Sequence, residues 1–203
     1  MGVPCPTVLG TTDLYINAPR LSSIFFVCAS PNSRWGWCRP LIKIIEIFGD
    51  GLVWMLVPVA FLIVTEEKWL IEFCVNILAA TAFDLCVLFL LKMLASRPRP
   101  VANKGDMLIV VAVDNYSFPS GHCTRAGMMT YIIIEYFNLT GGYIALGGVW
   151  VVVMAISRLM LGRHYITDVI CGTVVGFMEG AVVIAVWITV DNLESILSLF
   201  LRT

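Results

Sequence analysis

The sequence is poor in charge. Of its 203 residues, 13% are Asp, Glu, Lys or Arg and 59% are hydrophobic, with a net charge of −1. A soluble domain is about half apolar and about a quarter charged. This scarcity of charge argues against an ordinary soluble globular protein. No basic tract is dense enough to indicate nucleic-acid binding.

The sequence also lacks the arrangements that hold metal ions. Its seven cysteines show neither CxxC nor CxxH spacing, and several fall in apolar segments, where cysteine behaves as a small hydrophobe. No cluster of acidic residues offers the oxygen ligands that Mg²⁺ requires. We therefore expect no metal site and no other cofactor.

Long apolar runs are what the sequence has in abundance, and they predict an all-α, polytopic helical membrane bundle. About five spanning helices are expected, at 51–65, 69–93, 120–137, 142–162 and 165–190. Amphipathic interfacial helices are expected before them, because residues 13–49 mix apolar groups with Trp35, Trp37, Arg39 and Lys43. Residues 1–12 form a loose tail in this interpretation, and residues 13–203 form one membrane-embedded domain.

Five spans bring six polar residues to the same face of the membrane. They stand at the end of the second span, the start of the third, and the junction of the fourth and fifth: Lys92, Arg99, His122, Arg158, His164 and Asp168. Charged groups near bilayer depth are costly unless they are paired or line a polar cavity. Their convergence predicts one shared site. The long connection 94–119 contains an apolar stretch, 107–113, expected to form a short interfacial helix or strand over it.

Each part of this set of residues has a chemical interpretation and a purely structural one. His164 and Asp168 share a helix face, so the carboxylate can accept the Nδ1 proton and leave Nε2 as a nucleophile; alone, such a pair is more often a surface ion pair. Pro119-Ser120-Gly121-His122 can form an anion site at a helix N-terminus, or simply start a helix. The three cations can clamp phosphate or snorkel at the membrane edge.

Together the parts describe phosphoryl transfer through a covalent phosphohistidine. In this hypothesis the cations neutralise the phosphoryl oxygens and His164 attacks phosphorus. His122 protonates the leaving oxygen and later activates water.

These motifs resemble those of the type 2 phosphatidic acid phosphatase family. The matching patterns are Lys92-x6-Arg99-Pro100, Pro119-Ser120-Gly121-His122 and Ser157-Arg158-x5-His164-x3-Asp168. The resemblance implies a magnesium-independent lipid phosphate phosphatase, with nucleophile His164, orienting acid Asp168 and general acid His122. It implies that phosphate is held by Lys92, Arg99, Ser120, Gly121 and Arg158.

A narrower resemblance covers most of residues 35–180. The stretches "RPLIKIIEIFGDG", "VDNYSFPSGHCTRAG" and "SRLMLGRHYITDV" are similar to the presqualene and polyisoprenoid diphosphate phosphatase (phospholipid phosphatase 6) branch. That likeness implies presqualene, farnesyl or geranylgeranyl diphosphate as substrate, in endoplasmic reticulum and nuclear envelope membranes. The sequence offers Arg125, Arg97 and Arg163 as candidates for contact with a second phosphate.

Two other functions remain open at this stage. One is a phosphatase for phosphatidic acid and related lipid monophosphates, and the other is a non-catalytic membrane scaffold or transporter on the same fold. The expected partners are a lipid phosphate substrate and membrane lipids, not nucleic acid, and a homo-oligomer is left open. Asp84 and Glu179 lie deep in predicted spans and are interpreted as packing or helix–helix hydrogen-bonding groups.

The distribution of basic residues predicts which side the site faces. Lys and Arg outside the catalytic set are more frequent on the site side: Arg20, Arg34, Arg39, Lys43, Arg97 and Lys104, against Lys68 and Arg202 opposite. The positive-inside rule therefore predicts a cytoplasmic catalytic face.

Overall fold

The computed structural model describes residues 32–33, 35–100, 115–192 and 195. The predicted tail at 1–12, most of the segment 13–34 and the stretch 107–113 lie outside the described residues. The described part is helical and contains no strand, only an isolated bridge between Pro98 and Tyr116. The predicted all-α class is confirmed.

Six α-helices follow a short 3-10 turn at Gly36–Cys38 in the described chain. They are α1 (Arg39–Phe48), α2 (Gly51–Val64), α3 (Lys68–Ala95), α4 (Gly121–Tyr136), α5 (Gly142–Met160) and α6 (Ile166–Ala185). Helices α2 to α6 correspond to the five predicted spans. The last one ends at Ala185 instead of residue 190.

Three of these helices, α3, α5 and α6, are long and apolar enough to cross a membrane. A fourth span is available if the pair Gly36–Phe48 and Gly51–Val64, bent by 52°, crosses as one unit. Helix α4 has 16 residues, so it is about 24 Å long at about 1.5 Å per residue, which is less than the hydrocarbon core of about 30 Å. It is also the most buried helix, since ten of its residues are buried.

Large apolar side chains cover the outside of the bundle. Leu94 is 83% exposed, Ile63 79% and Leu90 60%. Exposed apolar surface of this extent is unfavourable in water and favourable against lipid tails. The protein is accordingly an integral membrane protein.

Glycines bring α4 and α6 into close contact. A Cβ at Gly176 would lie 2.0 Å from the Thr124 carbonyl oxygen, and one at Gly172 would lie 2.7 Å from the Ser120 carbonyl oxygen. Gly180, one turn further, faces Tyr131 in the same way. Small residues at this four-residue spacing let helix backbones approach closely in a membrane. This contact fixes the start of α4 against the start of α6, which is where the site lies.

Helix α1 is amphipathic, with its charged face turned inward. Arg39, Ile42 and Glu46 are buried, while Leu41 and Ile44 are exposed. Residues at i, i+3 and i+7 share one helix face, so a single polar stripe of α1 reaches the bundle. The helix packs on the end of α5 through contact of Ile42 with Leu161.

Polar side chains fasten the other end of the bundle. The Glu72 carboxylate accepts hydrogen bonds from Trp187 Nε1 at 2.8 Å and from the Val190 amide at 3.1 Å. Asn76 donates to the Ile188 carbonyl and accepts from its amide. These bonds join the chain after α6 to the start of α3, about 30 Å along α3 from Lys92.

Candidate active site

The starts of α4 and α6 form the centre of the site. The Ser120 amide donates to the Asp168 carbonyl at 3.0 Å, and the Ser120 carbonyl accepts from the amides of Cys123 and Thr124 in the first turn of α4. Ser120 and Gly121 are both buried. Two motifs separated by more than forty residues in the sequence therefore share a backbone hydrogen bond.

His164 lies between α5 and α6 and is 3% exposed. Its Nδ1 lies 2.7 Å from the Ser117 carbonyl oxygen, and 3.8 Å from Asp168 Oδ2. Since a carbonyl only accepts hydrogen bonds, Nδ1 carries the proton in this contact and Nε2 keeps its lone pair. The acceptor differs from the expected one: the Ser117 carbonyl accepts the hydrogen bond from Nδ1–H, and Asp168 lies beyond hydrogen-bond range.

The surroundings of His164 favour its neutral form. The pKa of His164 is lowered to about 4, mainly by burial and also by the charges of Arg99 and Lys92, while Asp168 acts to raise it. A neutral ring is the form that can attack phosphorus. Its lone pair is thus available at physiological pH.

Asp168 is fully buried and has several partners of its own. Its Oδ2 accepts from the Tyr165 amide at 2.8 Å, closing a capping box at the start of α6. Its Oδ1 accepts from Arg97 Nη1 at 2.6 Å, and the same guanidinium also reaches Thr167 and lies 4.1 Å from the centre of the Tyr165 ring. Asp168 therefore remains anionic beside the His164 ring, where it can stabilise positive charge on that ring.

The other expected cations come from separate elements. Lys92 is buried in the last turn of α3, and both Lys92 and Arg99 act electrostatically on His164. Arg158 is fully buried at the end of α5, where its Nε donates to Ser157 Oγ at 3.1 Å. The positive charge of Arg158 acts on His122. Side chains expected to share one site are thus close in space.

Glu46 belongs to this site, although the sequence analysis did not single it out. Its Oε1 accepts from Arg158 Nη1 at 3.0 Å and from Arg163 Nη1, and lies 4.0 Å from His122 Nε2. Glu46 is 2% exposed. A detectable signal was the acid in the apolar run "LIKIIEIF", on the same helix face as Arg39.

Arg125 is directed toward two other groups. Its Nε lies 2.9 Å from Asp84 Oδ2, and its Nη1 donates to the Gly49 carbonyl at 3.0 Å. Glu179 lies beside Asp84, so α3, α4 and α6 meet at one buried cluster. These contacts agree with the interpretation of Asp84 and Glu179 as helix–helix packing groups, and they tie the Arg125 guanidinium to that cluster.

The three candidates for a second phosphate thus have different surroundings. Arg163 is 1% exposed and meets Arg158 at Glu46, Arg97 meets Asp168, and Arg125 meets Asp84. Of these, Arg163 shares a partner with an expected phosphate ligand. Contact of any of them with a second phosphate stays a prediction.

Within the described ranges, no three His, Cys, Asp or Glu side chains gather in a way that could hold a metal ion.

Comparison with known proteins gives concordant matches. Residues 73–192 match the family model of the PAP2 superfamily. The chain is 31% identical over 165 residues to the probable lipid phosphate phosphatase beta of Arabidopsis thaliana, covering 68% of this chain and 76% of that protein.

Two solved structures share the fold. A PAP2-type phosphatidylglycerolphosphate phosphatase from Bacillus subtilis superimposes with a TM-score of 0.63 at 22% identity, covering 86% of each chain. LpxE of Aquifex aeolicus superimposes with a TM-score of 0.60 at 18% identity, covering 82% of this chain and 93% of that one.

Proposed function

The chain belongs to the PAP2 superfamily and is a membrane lipid phosphatase, and we propose that it hydrolyses polyisoprenoid diphosphates through a phosphohistidine on His164. The observation that carries the mechanism is the state of this ring. Its Nδ1 is hydrogen-bonded to the Ser117 carbonyl at 2.7 Å. Nε2 is therefore left as the nucleophile, with Lys92 and Arg99 nearby.

The reaction has two steps. His164 Nε2 attacks the terminal phosphorus, the bond from phosphorus to the bridging oxygen breaks, and His122 gives its proton to the departing lipid monophosphate. Water then attacks the phosphohistidine, His122 takes a proton from it, the N–P bond breaks, and inorganic phosphate leaves. Asp168 stabilises the positive charge that the ring carries between the two steps.

The residues proposed to hold the phosphoryl group surround this centre. Lys92, Arg99 and Arg158 supply cations, and Ser120 and Gly121 stand at the start of α4, where amides and the helix dipole favour an anion. These groups act without a metal ion in the proposed mechanism.

The diphosphate preference is supported by Arg163 and by the sequence likeness to the polyisoprenoid branch. Arg163 is buried and shares Glu46 with Arg158, so a second guanidinium stands next to an expected phosphate ligand. The proposal also places the protein in endoplasmic reticulum and nuclear envelope membranes, with its catalytic face in the cytoplasm. The alternative substrate is a lipid monophosphate such as phosphatidic acid.

Phosphate release by the purified protein in EDTA tests both the proposed substrate and the proposed metal-independent mechanism. Farnesyl diphosphate, presqualene diphosphate and phosphatidic acid should be compared at equal mole fraction in detergent micelles. We expect the diphosphates to be preferred, orthovanadate to inhibit, and His164→Ala to abolish turnover, whereas Asp168→Asn should leave slow turnover. A preference for phosphatidic acid would select the monophosphate alternative, and near-normal turnover by His164→Ala would refute the nucleophile.

A further inference from the structure

One buried carboxylate joins two buried arginines and lies near a histidine of the candidate site. Glu46 Oε1 contacts Arg158 Nη1 and Arg163 Nη1, and it lies 4.0 Å from His122 Nε2. The residue comes from α1, which precedes the stretch 73–192 matched by the family model. It reaches the site because α1 packs its polar face against the end of α5.

The position of Glu46 is unusual for a site that binds an anion. An oxyanion and a carboxylate repel each other, and both need the same guanidinium donors. Buried guanidinium groups nevertheless need a counter-charge, because desolvation without one is costly. Arg158 and Arg163 are 0% and 1% exposed. The carboxylate meets that need as long as no phosphate is bound.

The nitrogen atoms of the Arg158 guanidinium have different surroundings. Its Nη1 donates to Glu46 and its Nε to Ser157, while its buried Nη2 has no hydrogen-bond partner among the described residues. A phosphoryl oxygen can therefore bind first at Nη2, and full bidentate binding requires Nη1 to leave the carboxylate.

We infer that Glu46 is an internal counter-ion that holds Arg158 and Arg163 before substrate binds and that the phosphate group displaces. The inference rests on the proposed role of Arg158 in binding phosphate. Glu46 is a positioning residue in this scheme, since it binds the arginines and comes no closer than 4.0 Å to His122 Nε2. Its return to the arginines would favour release of inorganic phosphate after the second step.

The test is the affinity of Glu46→Gln for inorganic phosphate and for orthovanadate. The amide keeps the size of the side chain but removes the competing charge. We expect about tenfold tighter binding of both anions, seen as stronger inhibition and as a larger rise in melting temperature when phosphate is added. The turnover number should fall, because product leaves more slowly.

A purely structural role for Glu46 predicts a change in anion affinity of the opposite sign. If the carboxylate only holds the arginines in place, Glu46→Gln should bind phosphate and vanadate more weakly, and weaker or unchanged binding would overturn the inference. Glu72→Gln is the matched control, because Glu72 also accepts two hydrogen bonds but at the other end of the bundle. Its phosphate affinity should equal that of the wild type.

The melting assay separates this inference from the proposed function, because it needs no turnover. Wild-type protein that is stabilised by vanadate but hydrolyses no lipid diphosphate would refute the proposed substrate and still allow the Glu46 comparison. If Glu46→Gln does not fold, Glu46→Asp replaces it. The shortened carboxylate should loosen its hold on the arginines and give phosphate affinity between those of wild type and the expected amide variant; affinity below wild type would again overturn the inference.

Discussion

Replacing Gly176 by alanine should push apart the two helices that carry the site. A Cβ at this position would lie 2.0 Å from the Thr124 carbonyl oxygen and 2.8 Å from its Cα, whereas ordinary contact begins at 3.4 Å. Both obstacles are backbone atoms, so no side-chain rotation can relieve the overlap. Helices α4 and α6 must separate by more than an ångström, at the cost of about 1–3 kcal/mol that is typical of overpacking.

The separation should also reduce catalysis. Thr124 is one helical turn from Ser120, whose amide donates to the Asp168 carbonyl, so movement of α4 carries His122 away from His164. Misplacement of a catalytic group by about 1 Å is enough to cost on the order of a hundredfold in rate. We expect Gly176→Ala to melt at a lower temperature than wild type in detergent and to release phosphate much more slowly.

Gly148→Ala is the matched control in α5. A Cβ at Gly148 meets nothing within 4 Å, and alanine stabilises a helix interior by about 1 kcal/mol relative to glycine. Its melting temperature should therefore equal or exceed that of wild type, with normal activity. If Gly176→Ala melted at or above wild type, close packing of α4 on α6 would not hold the site together.

Three further predictions follow from the site. The pKa of His164, lowered to about 4 from the ordinary 6.5, should appear in an NMR titration as a ring that stays neutral until strongly acidic pH. Because the pKa of His164 is lower in the folded state than in the unfolded state, the contribution of the neutral ring to stability is complete above about pH 6.5 and is lost as the pH falls towards 4. The variant His122→Ala retains His164 as its single histidine, and a titration midpoint near 6.5 in that variant would contradict this prediction. Arg125→Met should destabilise the fold by about 3–5 kcal/mol, because it leaves the Asp84 carboxylate buried without its guanidinium partner. Hydrolysis of diphosphates and of monophosphates should fall equally. Selective loss of diphosphate hydrolysis would instead support contact of Arg125 with a second phosphate. Asn115, in the sequon Asn115-Tyr116-Ser117, should carry no glycan in cells if the catalytic face is cytoplasmic, and mass spectrometry that found one would place the site in the lumen.

The arrangement of the bundle shows where sequence reasoning was adequate. Apolar runs gave the five helices α2 to α6 to within a few residues, except at the end of α6, because a lipid environment imposes a long apolar stretch on every crossing helix. The number of helices that cross the membrane was harder to predict from the sequence. Helix α4 has only 16 residues and is the most buried helix, and burial by other helices produces an apolar run just as lipid does.

The residues of the candidate site could be recognised in the sequence because they are particular residue types at short spacings. Ser120 to His122 are contiguous and His164 and Asp168 are only four residues apart, so proximity along the chain keeps each set together. His164 precedes α6, which begins at Ile166, and therefore shares no helix with Asp168. The partner of His164 Nδ1 was not readable. A backbone carbonyl, such as that of Ser117 at 2.7 Å, leaves no mark in side-chain identity.

Long-range ion pairs were decided only by tertiary structure. Glu46 lies 112 residues from Arg158 in the chain, and its place in the apolar run of α1 does not indicate which arginine it neutralises. Likewise, Arg125 shares a helix with His122, but the packing of α3 against α4 directs its guanidinium to Asp84. The sequence by itself determined a membrane bundle and predicted a set of histidines and cations that would bind phosphate. Which carboxylate neutralises which arginine depended on how the helices pack, because a buried charge takes the nearest counter-charge in space, whatever its distance along the chain.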